Sequence, residues 1–165
     1  MLIPDCLRGG LRVVFCGTAL GAASDRAQAY YAGPGNKFWA TLEEVGLTPR
    51  RMRPEEYREL LDYEIGLTDL CKTRSGSDLE IGEDAFDLSR LVRGLEAHKP
   101  GWIAFNGKKA AMTALGRKRV EFGRDAAELG GVPVFILPST SGAANGYWDI
   151  SYWRELAALD QRDRN

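Results

Sequence analysis

Leu11-Arg12-Val13-Val14-Phe15-Cys16-Gly17-Thr18-Ala19-Leu20-Gly21 is a short apolar run that passes directly into a loop of small residues. The run is rich in residues that favour β-structure and ends at Gly17, so it predicts a buried strand. Similar runs at 63–70, 102–105 and 132–137 predict three more strands. Segments with helical spacing of apolar residues alternate with these strands, at 38–45, 54–63, 86–98, 108–115 and 152–159. This alternation predicts an α/β domain with a mainly parallel sheet.

The composition is that of a globular protein without a strongly charged arm. The chain has 165 residues, with 22 basic and 23 acidic side chains and a formal charge of −1. One domain over residues 1–165 is therefore expected. No apolar run approaches the roughly 18 residues of a membrane span, and no secretion signal is visible. We expect no membrane partner.

Cysteine and histidine usage restricts the chemistry. Cys6, Cys16 and Cys71 form an odd, widely spaced set without a CxxC pair, which is typical of reduced thiols in a cytoplasmic protein. His98 is the single histidine and lies just before Pro100, where helices usually end. A His-rich zinc site is therefore excluded, and a Ser-His-Asp triad would depend on this one residue.

Ligands of parallel sheets bind in the loops beyond the carboxyl ends of the strands, which here are 17–35, 72–78, 106–109 and 138–146. The glycines of 17–21 would let the backbone approach a ligand closely, or they form a plain tight turn. The loop has neither phosphate-binding pattern, GxGxxG or GxxxxGK followed by Ser or Thr. The tyrosines of 30–36 either stack on a flat base or pack under the loop.

The other loops are polar or basic. Asp78 could position water or stabilise a developing cation, or it caps a turn; Asp69 competes with it but could be a buried hydrogen-bonding residue. Ser139-Thr140-Ser141-Gly142 could hold a phosphate or form an ST-turn. Residues 107–124 include six basic side chains and one acidic, a phosphate-binding footprint or a solvated face. Residues 55–96 include twelve acidic and five basic side chains, so the chain is electrically two-sided.

Five segments in the correct order resemble the mismatch-specific uracil-DNA glycosylase and thymine-DNA glycosylase family. The resemblance covers nearly the whole chain, and no single motif is decisive. The segments are Val14-Phe15-Cys16-Gly17-Thr18-Ala19-Leu20-Gly21, Tyr31-Ala32-Gly33-Pro34-Gly35-Asn36-Lys37-Phe38-Trp39, Gly66-Leu67-Thr68-Asp69-Leu70 with Gly76-Ser77-Asp78-Leu79, Phe105-Asn106-Gly107-Lys108, and Leu137-Pro138-Ser139-Thr140-Ser141-Gly142.

The resemblance implies a three-layer α/β sandwich with a mainly parallel sheet of four to five strands, flanked by helices. It implies an enzyme that flips uracil out of DNA and hydrolyses the N-glycosidic bond, leaving an abasic site. Some family members also remove thymine or hypoxanthine. The base must leave the stack because its glycosidic bond is unreachable inside the duplex. The family uses no metal and no organic cofactor. We expect a cytoplasmic monomer, associated with the nucleoid in a bacterium, whose partner is double-stranded or single-stranded DNA.

The resemblance also implies roles for individual residues. Tyr31 matches the stacking aromatic residue, and Asn36 matches an asparagine that approaches the base edge. Backbone amides near Thr18 and Tyr31 would contact the base carbonyls, and these contacts could stabilise charge on the departing uracil. The base-binding set is Gly17, Ala19, Tyr31 and Asn36, and the DNA-binding set is Lys108, Ser139, Thr140, Ser141, Gly142 and Ala143.

Two residues depart from the family pattern. Ala19 stands where the family has the asparagine that holds the attacking water, and alanine cannot hold water. Asp78 is the first candidate to replace it, followed by Thr18 and then Asp69. Ala143 stands where the family inserts a large wedge into the DNA, which predicts weak discrimination for the opposite base and activity on single strands. Tyr147 or Trp148 could serve as the wedge instead, unless they pack under the loop.

The missing asparagine leaves a second interpretation open. A non-catalytic module that binds damaged DNA would have the same fold and the same loops. Formation of abasic sites in uracil-containing DNA distinguishes the two. A small-molecule hydrolase is disfavoured, because the chain has no GxSxG motif.

Overall fold

A single five-stranded sheet organises the chain, and four of its strands are parallel. The computed structural model describes residues 3–72 and 86–163. Within these ranges the strands lie in the order β2-β1-β3-β5-β4, and only β4 is antiparallel to its neighbour. The strands are β1 (Val13–Gly17), β2 (Ile65–Asp69), β3 (Trp102–Asn106), β4 (Gly123–Leu129) and β5 (Val132–Leu137). The mainly parallel α/β fold predicted from the sequence is confirmed.

Helices cover both faces of the sheet and make it a three-layer sandwich. The helices are α1 (Ala22–Ala27), α2 (Phe38–Glu44), α3 (Leu88–His98), α4 (Lys108–Leu115) and α5 (Ile150–Asp163), with 3₁₀-helices at Pro54–Tyr63 and Gly142–Tyr147. Successive side chains of a strand point to opposite faces. Accordingly, Val13 and Phe15 pack with α2 and α5, whereas Val14 and Cys16 pack with α3 and α4.

Three local predictions differ from the structure. The predicted loop 17–35 contains the short helix α1, and the helix predicted at 54–63 is a 3₁₀-helix that Pro54 begins. The strand β4 was not predicted, because it lies at the sheet edge and its residues after Gly123 are exposed or only partly buried. Gly130 and Gly131, both with positive φ, form the tight turn that pairs β4 with β5.

The three cysteines are buried and form no disulfide. In the part of the chain that the structure describes, no helix is long and apolar enough to cross a membrane.

Candidate active site

A cavity of about 710 Å³ opens at the carboxyl end of the sheet. Gly17, Asp69 and Asn106 line it from the last positions of β1, β2 and β3, and the loop after β5 closes it. Its volume lies within the range of small-molecule sites. The cavity brings together all the predicted site residues that the structure describes: Gly17, Thr18, Ala19, Tyr31, Asn36, Lys108, Ser139, Thr140, Ser141, Gly142 and Ala143. Asp78 lies outside the described residues.

Tyr31 presents an aromatic ring to this cavity. Its ring stacks on Phe38 with a centroid distance of 4.1 Å and an interplanar angle of 26°, and Phe38 packs edge-on against Phe15 at 5.4 Å. Tyr31 has φ +54°, a left-handed conformation that L-residues adopt at an energetic cost. The ring therefore combines the two predicted possibilities, because it packs on the core and still lines the cavity.

Hydrogen bonds on both sides of Tyr31 fix its backbone. The indole Nε1 of Trp39 donates to the carbonyl of Tyr30 at 3.1 Å, and the amide of Ala32 donates to Oγ of Ser24 at 2.9 Å. Ser24 is buried on α1, so this helix, which the sequence did not predict, holds the aromatic segment in place. The ring is consequently a preorganised flat surface.

Gly17 lines the cavity where two polar side chains come close to the backbone. A Cβ atom at this position would lie 3.1 Å from Oδ1 of Asp69 and 3.6 Å from the hydroxyl of Tyr31. Glycine is therefore the residue that lets both polar groups approach the backbone at the end of β1. Burial raises the pKa of Tyr31, Asp69 raises it further and Asn106 lowers it, with the result that the phenol is neutral. Its hydroxyl makes no hydrogen bond of normal geometry within the described residues.

The side-chain amide of Asn36 is held in place through its oxygen, which leaves its NH₂ group able to donate. Its backbone amide donates to the carbonyl of Gly33 at 3.2 Å, and its Oδ1 accepts from the amide of Phe38 at 3.0 Å. The side chain thus caps the first turn of α2, although the N-cap position itself is Lys37. In the described part of the chain, Nδ2 of Asn36 has no acceptor, so it can donate to a ligand in the cavity.

Asn106 anchors the loop that follows β5. Its Nδ2 donates to Oγ1 of Thr140 at 3.0 Å, and the amide of Thr140 donates to its Oδ1 at the same distance. The carbonyl of Thr140 accepts from the amide of Lys37 at 2.9 Å, which joins this loop to the aromatic segment. Thr140 was predicted to contact DNA, but its side chain is fully buried against Asn106 and therefore positions the loop.

The two serines of this loop remain at the cavity. Oγ of Ser139 accepts from the amide of Ser141 at 3.2 Å, and Oγ of Ser141 accepts from the amide of Ala143 at 3.3 Å. These are the ST-turns that the sequence left open. Because each hydroxyl accepts in these contacts, its hydrogen is still able to donate to a phosphate.

The two candidate wedge residues lie at the end of the 3₁₀-helix Gly142–Tyr147, where Tyr147 is its last residue and Trp148 follows it. Trp148 packs inward at 6.2 Å from the ring of Trp153, as the packing interpretation predicted. Tyr147 lines the cavity and is 77% exposed, so packing under the loop is wrong for this residue. A large exposed aromatic ring therefore stands at the cavity mouth, four residues after Ala143.

Lysines at the start of α4 give the cavity a positive side. Lys108 and Lys109 line it, and Nζ of Lys108 lies 4.5 Å from the ring centroid of Phe122. Farther along the basic segment, Arg117 forms an ion pair with Asp125 at 2.6 Å. Of the six basic residues predicted to contact phosphates, only Lys108 and Lys109 line the cavity.

Among the residues that the structure describes, Asp69 is the carboxylate that lines the cavity. The residue is 2% exposed, and its Oδ2 accepts from Nζ of Lys72 at 3.3 Å. Burial raises the pKa of this carboxyl group, and Lys72 lowers it. The sequence ranked Asp69 below Asp78 because its neighbours are apolar. The sequence feature that indicates a site role for Asp69 is its position at the carboxyl end of a predicted strand, and in the structure it pairs in register with Gly17.

No group of three His, Cys, Asp or Glu side chains suited to a metal ion occurs among residues 3–72 and 86–163.

A sequence model of the uracil DNA glycosylase superfamily matches residues 4–160. The chain belongs to the uracil DNA glycosylase superfamily. A solution NMR structure from Methanosarcina acetivorans, titled as a "putative Uracil DNA glycosylase", has 26% sequence identity and a TM-score of 0.65 to this chain. The match covers 99% of this chain and 97% of that one. Membership supports a DNA glycosylase activity, a hydrolysis of N-glycosidic bonds in DNA.

Polar residues line the cavity together with Ala19. Ala19 lines the cavity with a methyl group, as the sequence indicated, whereas the buried carboxylate of Asp69 reaches the same cavity from the neighbouring strand. Thr18 also lines it, and its carbonyl accepts from the amide of Cys71 at 2.8 Å. Polar chemistry at this end of the cavity is therefore available despite the alanine.

Proposed function

We propose that this protein is a DNA glycosylase that flips uracil into the cavity, hydrolyses its N-glycosidic bond and leaves an abasic site. The observation that carries the proposal is a cavity lined by the partly buried Tyr31, by Asn36 and by the buried Asp69. A flat apolar surface, a directional donor and an anion are the groups that binding and releasing a nucleobase require.

The base is proposed to stack on Tyr31. The base stacks on the face of this ring that is turned away from Phe38, and the packing on Phe38 keeps the ring in place. Nδ2 of Asn36 donates to a carbonyl oxygen of the base, where negative charge accumulates as the base departs. A donor that is already oriented stabilises this charge without reorganisation.

The carboxylate of Asp69 is proposed to act at the sugar. As the bond between C1′ and the base nitrogen breaks, positive charge develops on the sugar and the bonding electrons leave with the base. Asp69 stabilises this cation and orients the water whose oxygen bonds to C1′. The water proton passes to the carboxylate. Asp78 and Thr18 remain sequence-based candidates for the same role.

Tyr147 is proposed to fill the gap that the flipped base leaves. Its ring is exposed at the cavity mouth, whereas the methyl group of Ala143 is too small to replace a base. Lys108, Ser139 and Ser141 are proposed to hold the neighbouring phosphates. The lysine supplies charge, and the serines supply hydroxyl donors.

A base-release panel tests the proposal. Oligonucleotides with one uracil opposite guanine, one uracil opposite adenine, or one uracil in a single strand are incubated with the protein, and abasic sites are cleaved with alkali. Matched oligonucleotides with thymine, hypoxanthine or ethenocytosine test the other bases. We expect cleavage at uracil that Asp69→Asn strongly reduces. Tight binding of uracil-containing DNA without any abasic site would instead support the non-catalytic interpretation.

A further inference from the structure

A partly buried network of four charges, of which Asp69 is the most buried, lies behind the cavity, and only Asp69 belongs to the cavity lining. Nζ of Lys72 lies 2.6 Å from the hydroxyl of Tyr30, 3.2 Å from Oδ1 of Asp5 and 3.3 Å from Oδ2 of Asp69. The side chain of Lys72 is 12% exposed. The ammonium group donates hydrogen bonds to Tyr30 and Asp69 and forms an ion pair with Asp5.

The second cation of the network is Arg90 on α3. Its guanidinium donates to Oδ2 of Asp5 and to the backbone carbonyl of Asp69. Asp5 is therefore held by both cations, and it also accepts from Oγ1 of Thr68 at 2.7 Å. Two carboxylates and two cations balance in charge, which is the condition for keeping charged groups at a buried position.

The extended N-terminal segment brings Asp5 into this network. Cys6 exchanges two backbone hydrogen bonds with Leu67 of β2, at 2.8 and 2.9 Å, so the segment runs antiparallel along the sheet edge. The hydroxyl of Tyr30 donates to the carbonyl of Pro4 at 3.1 Å and fixes the segment from the other side. Asp5 is thus placed behind the active-site strand by backbone pairing.

We propose that Lys72 is a positioning residue for the reaction, which, supported by Asp5 and Arg90, holds the Asp69 carboxylate ionised by binding its Oδ2 and keeps its Oδ1 beside Gly17 at the cavity wall. The inference rests on the proposed function, because it assigns the reaction to the carboxylate of Asp69. Six titratable or charged groups surround this carboxylate: Lys72, Asp5, Arg90, Tyr30, Tyr31 and Cys16. Lys72 and Arg90 lower the pKa of Asp69, and Asp5 raises it. The pKa values of Tyr30, Tyr31 and Cys16 are themselves raised, so these three groups are neutral.

The sign of the pH effect follows from these neighbours. A carboxylate is ionised above its pKa, so activity is lost as the pH falls through that value. Lys72 lowers the pKa of Asp69 and Asp5 raises it. Lys72→Met should therefore move the acid limb of the kcat/KM profile to higher pH. Asp5→Asn should move it to lower pH, and Lys72→Arg, which keeps the charge, should leave it close to that of the wild type.

The test combines kinetics with NMR. We expect Lys72→Met to lower kcat/KM for uracil release about 100-fold at pH 7 and to recover part of it at higher pH. Arg93→Met removes an exposed cation of α3 and should leave the profile unchanged. Independently, ¹³C NMR follows the Asp69 carboxyl carbon, assigned with Asp69→Asn, through a pH titration of each variant.

The NMR titration distinguishes this proposal from the proposed function. A wild-type protein that releases no base contradicts the proposed function, whereas the titration of Asp69 still decides the role of Lys72. An Asp69 carboxyl group that titrates at the same pH in wild type and Lys72→Met overturns the proposal. If Lys72→Met does not fold, an acid limb close to wild type in Lys72→Arg together with a limb displaced to lower pH in Asp5→Asn supports the proposal. Identical loss at every pH in both variants overturns it.

Discussion

Replacing Tyr31 with alanine should separate base recognition from DNA binding. The substitution removes the ring that stacks at 4.1 Å on Phe38 and lines the cavity. Stacking of one base on an aromatic side chain contributes about 1–3 kcal/mol. At 1.4 kcal/mol for each factor of ten, kcat/KM for uracil release should fall by about 5- to 150-fold. Affinity for undamaged duplex should persist, since phosphate contacts carry it.

Tyr31→Phe is the matched control for the ring. It keeps the stacking surface and removes a buried hydroxyl that has no hydrogen bond of normal geometry in the described residues. We expect its kcat/KM within about threefold of wild type, because the hydroxyl that it removes makes no such bond, whereas a neutral hydrogen bond would contribute about 1 kcal/mol net, a factor of about five. Both variants keep a Cβ at φ +54°, so backbone strain is the same in each.

Single-turnover release of uracil measures the chemistry, fluorescence anisotropy measures DNA affinity, and thermal unfolding shows that the variants are folded. Two results would refute the stacking role of Tyr31. One is a folded Tyr31→Ala variant with a rate within about twofold of wild type, well inside the range that stacking predicts. The other is equal loss in the alanine and phenylalanine variants, which would assign the effect to the hydroxyl.

Asp69→Asn should lower single-turnover base release by about 100-fold or more while DNA binding persists, and a near-normal rate would show that Asp69 is not the reacting carboxylate. Asp78→Asn, assayed beside it, should lower base release by orders of magnitude if the sequence-based assignment is right; the variant with the larger loss identifies the acting group. Because burial raises the pKa of Asp69, wild-type activity should decline on acidification at a pH above the ordinary range of aspartate. Tyr147→Ala should lower release from duplex DNA about tenfold and leave the single-strand rate unchanged, and equal losses on both substrates would contradict a wedge.

The parallel strands could be predicted because each is buried on both faces. The run 132–137 is continuously apolar apart from one proline, and β5 has the predicted bounds. The edge strand β4 has no such run, since its polar residues face solvent. Its strongest signal is the Gly130-Gly131 pair after it, because two glycines with positive φ permit a two-residue hairpin.

The cavity lining could be predicted because the topology of a parallel sheet determines which loops meet. Parallel strands end at one edge, so loops that are far apart in sequence must meet there. The surroundings of Asp69 could not be predicted from the sequence, since its partners Lys72, Asp5 and Arg90 come from three separate segments of the chain. Nothing local in the sequence indicates that the N-terminal segment pairs with β2. Likewise, no hydrophobic periodicity in the sequence distinguishes the exposed Tyr147, at the end of a short 3₁₀-helix, from the inward-packing Trp148 that follows it.

In the proposed mechanism, breaking the glycosidic bond creates two opposite charges, and the cavity provides a group for each. Asp69 is an anion suited to the sugar cation, and Asn36 is a donor suited to the departing base. A buried anion without partners would protonate and lose its effect on the cation. The pairing with Lys72 prevents this by supplying a positive charge on the side away from the cavity. Placing that countercharge behind the strand, where it does not line the cavity, leaves the attraction for the sugar cation directed into the site.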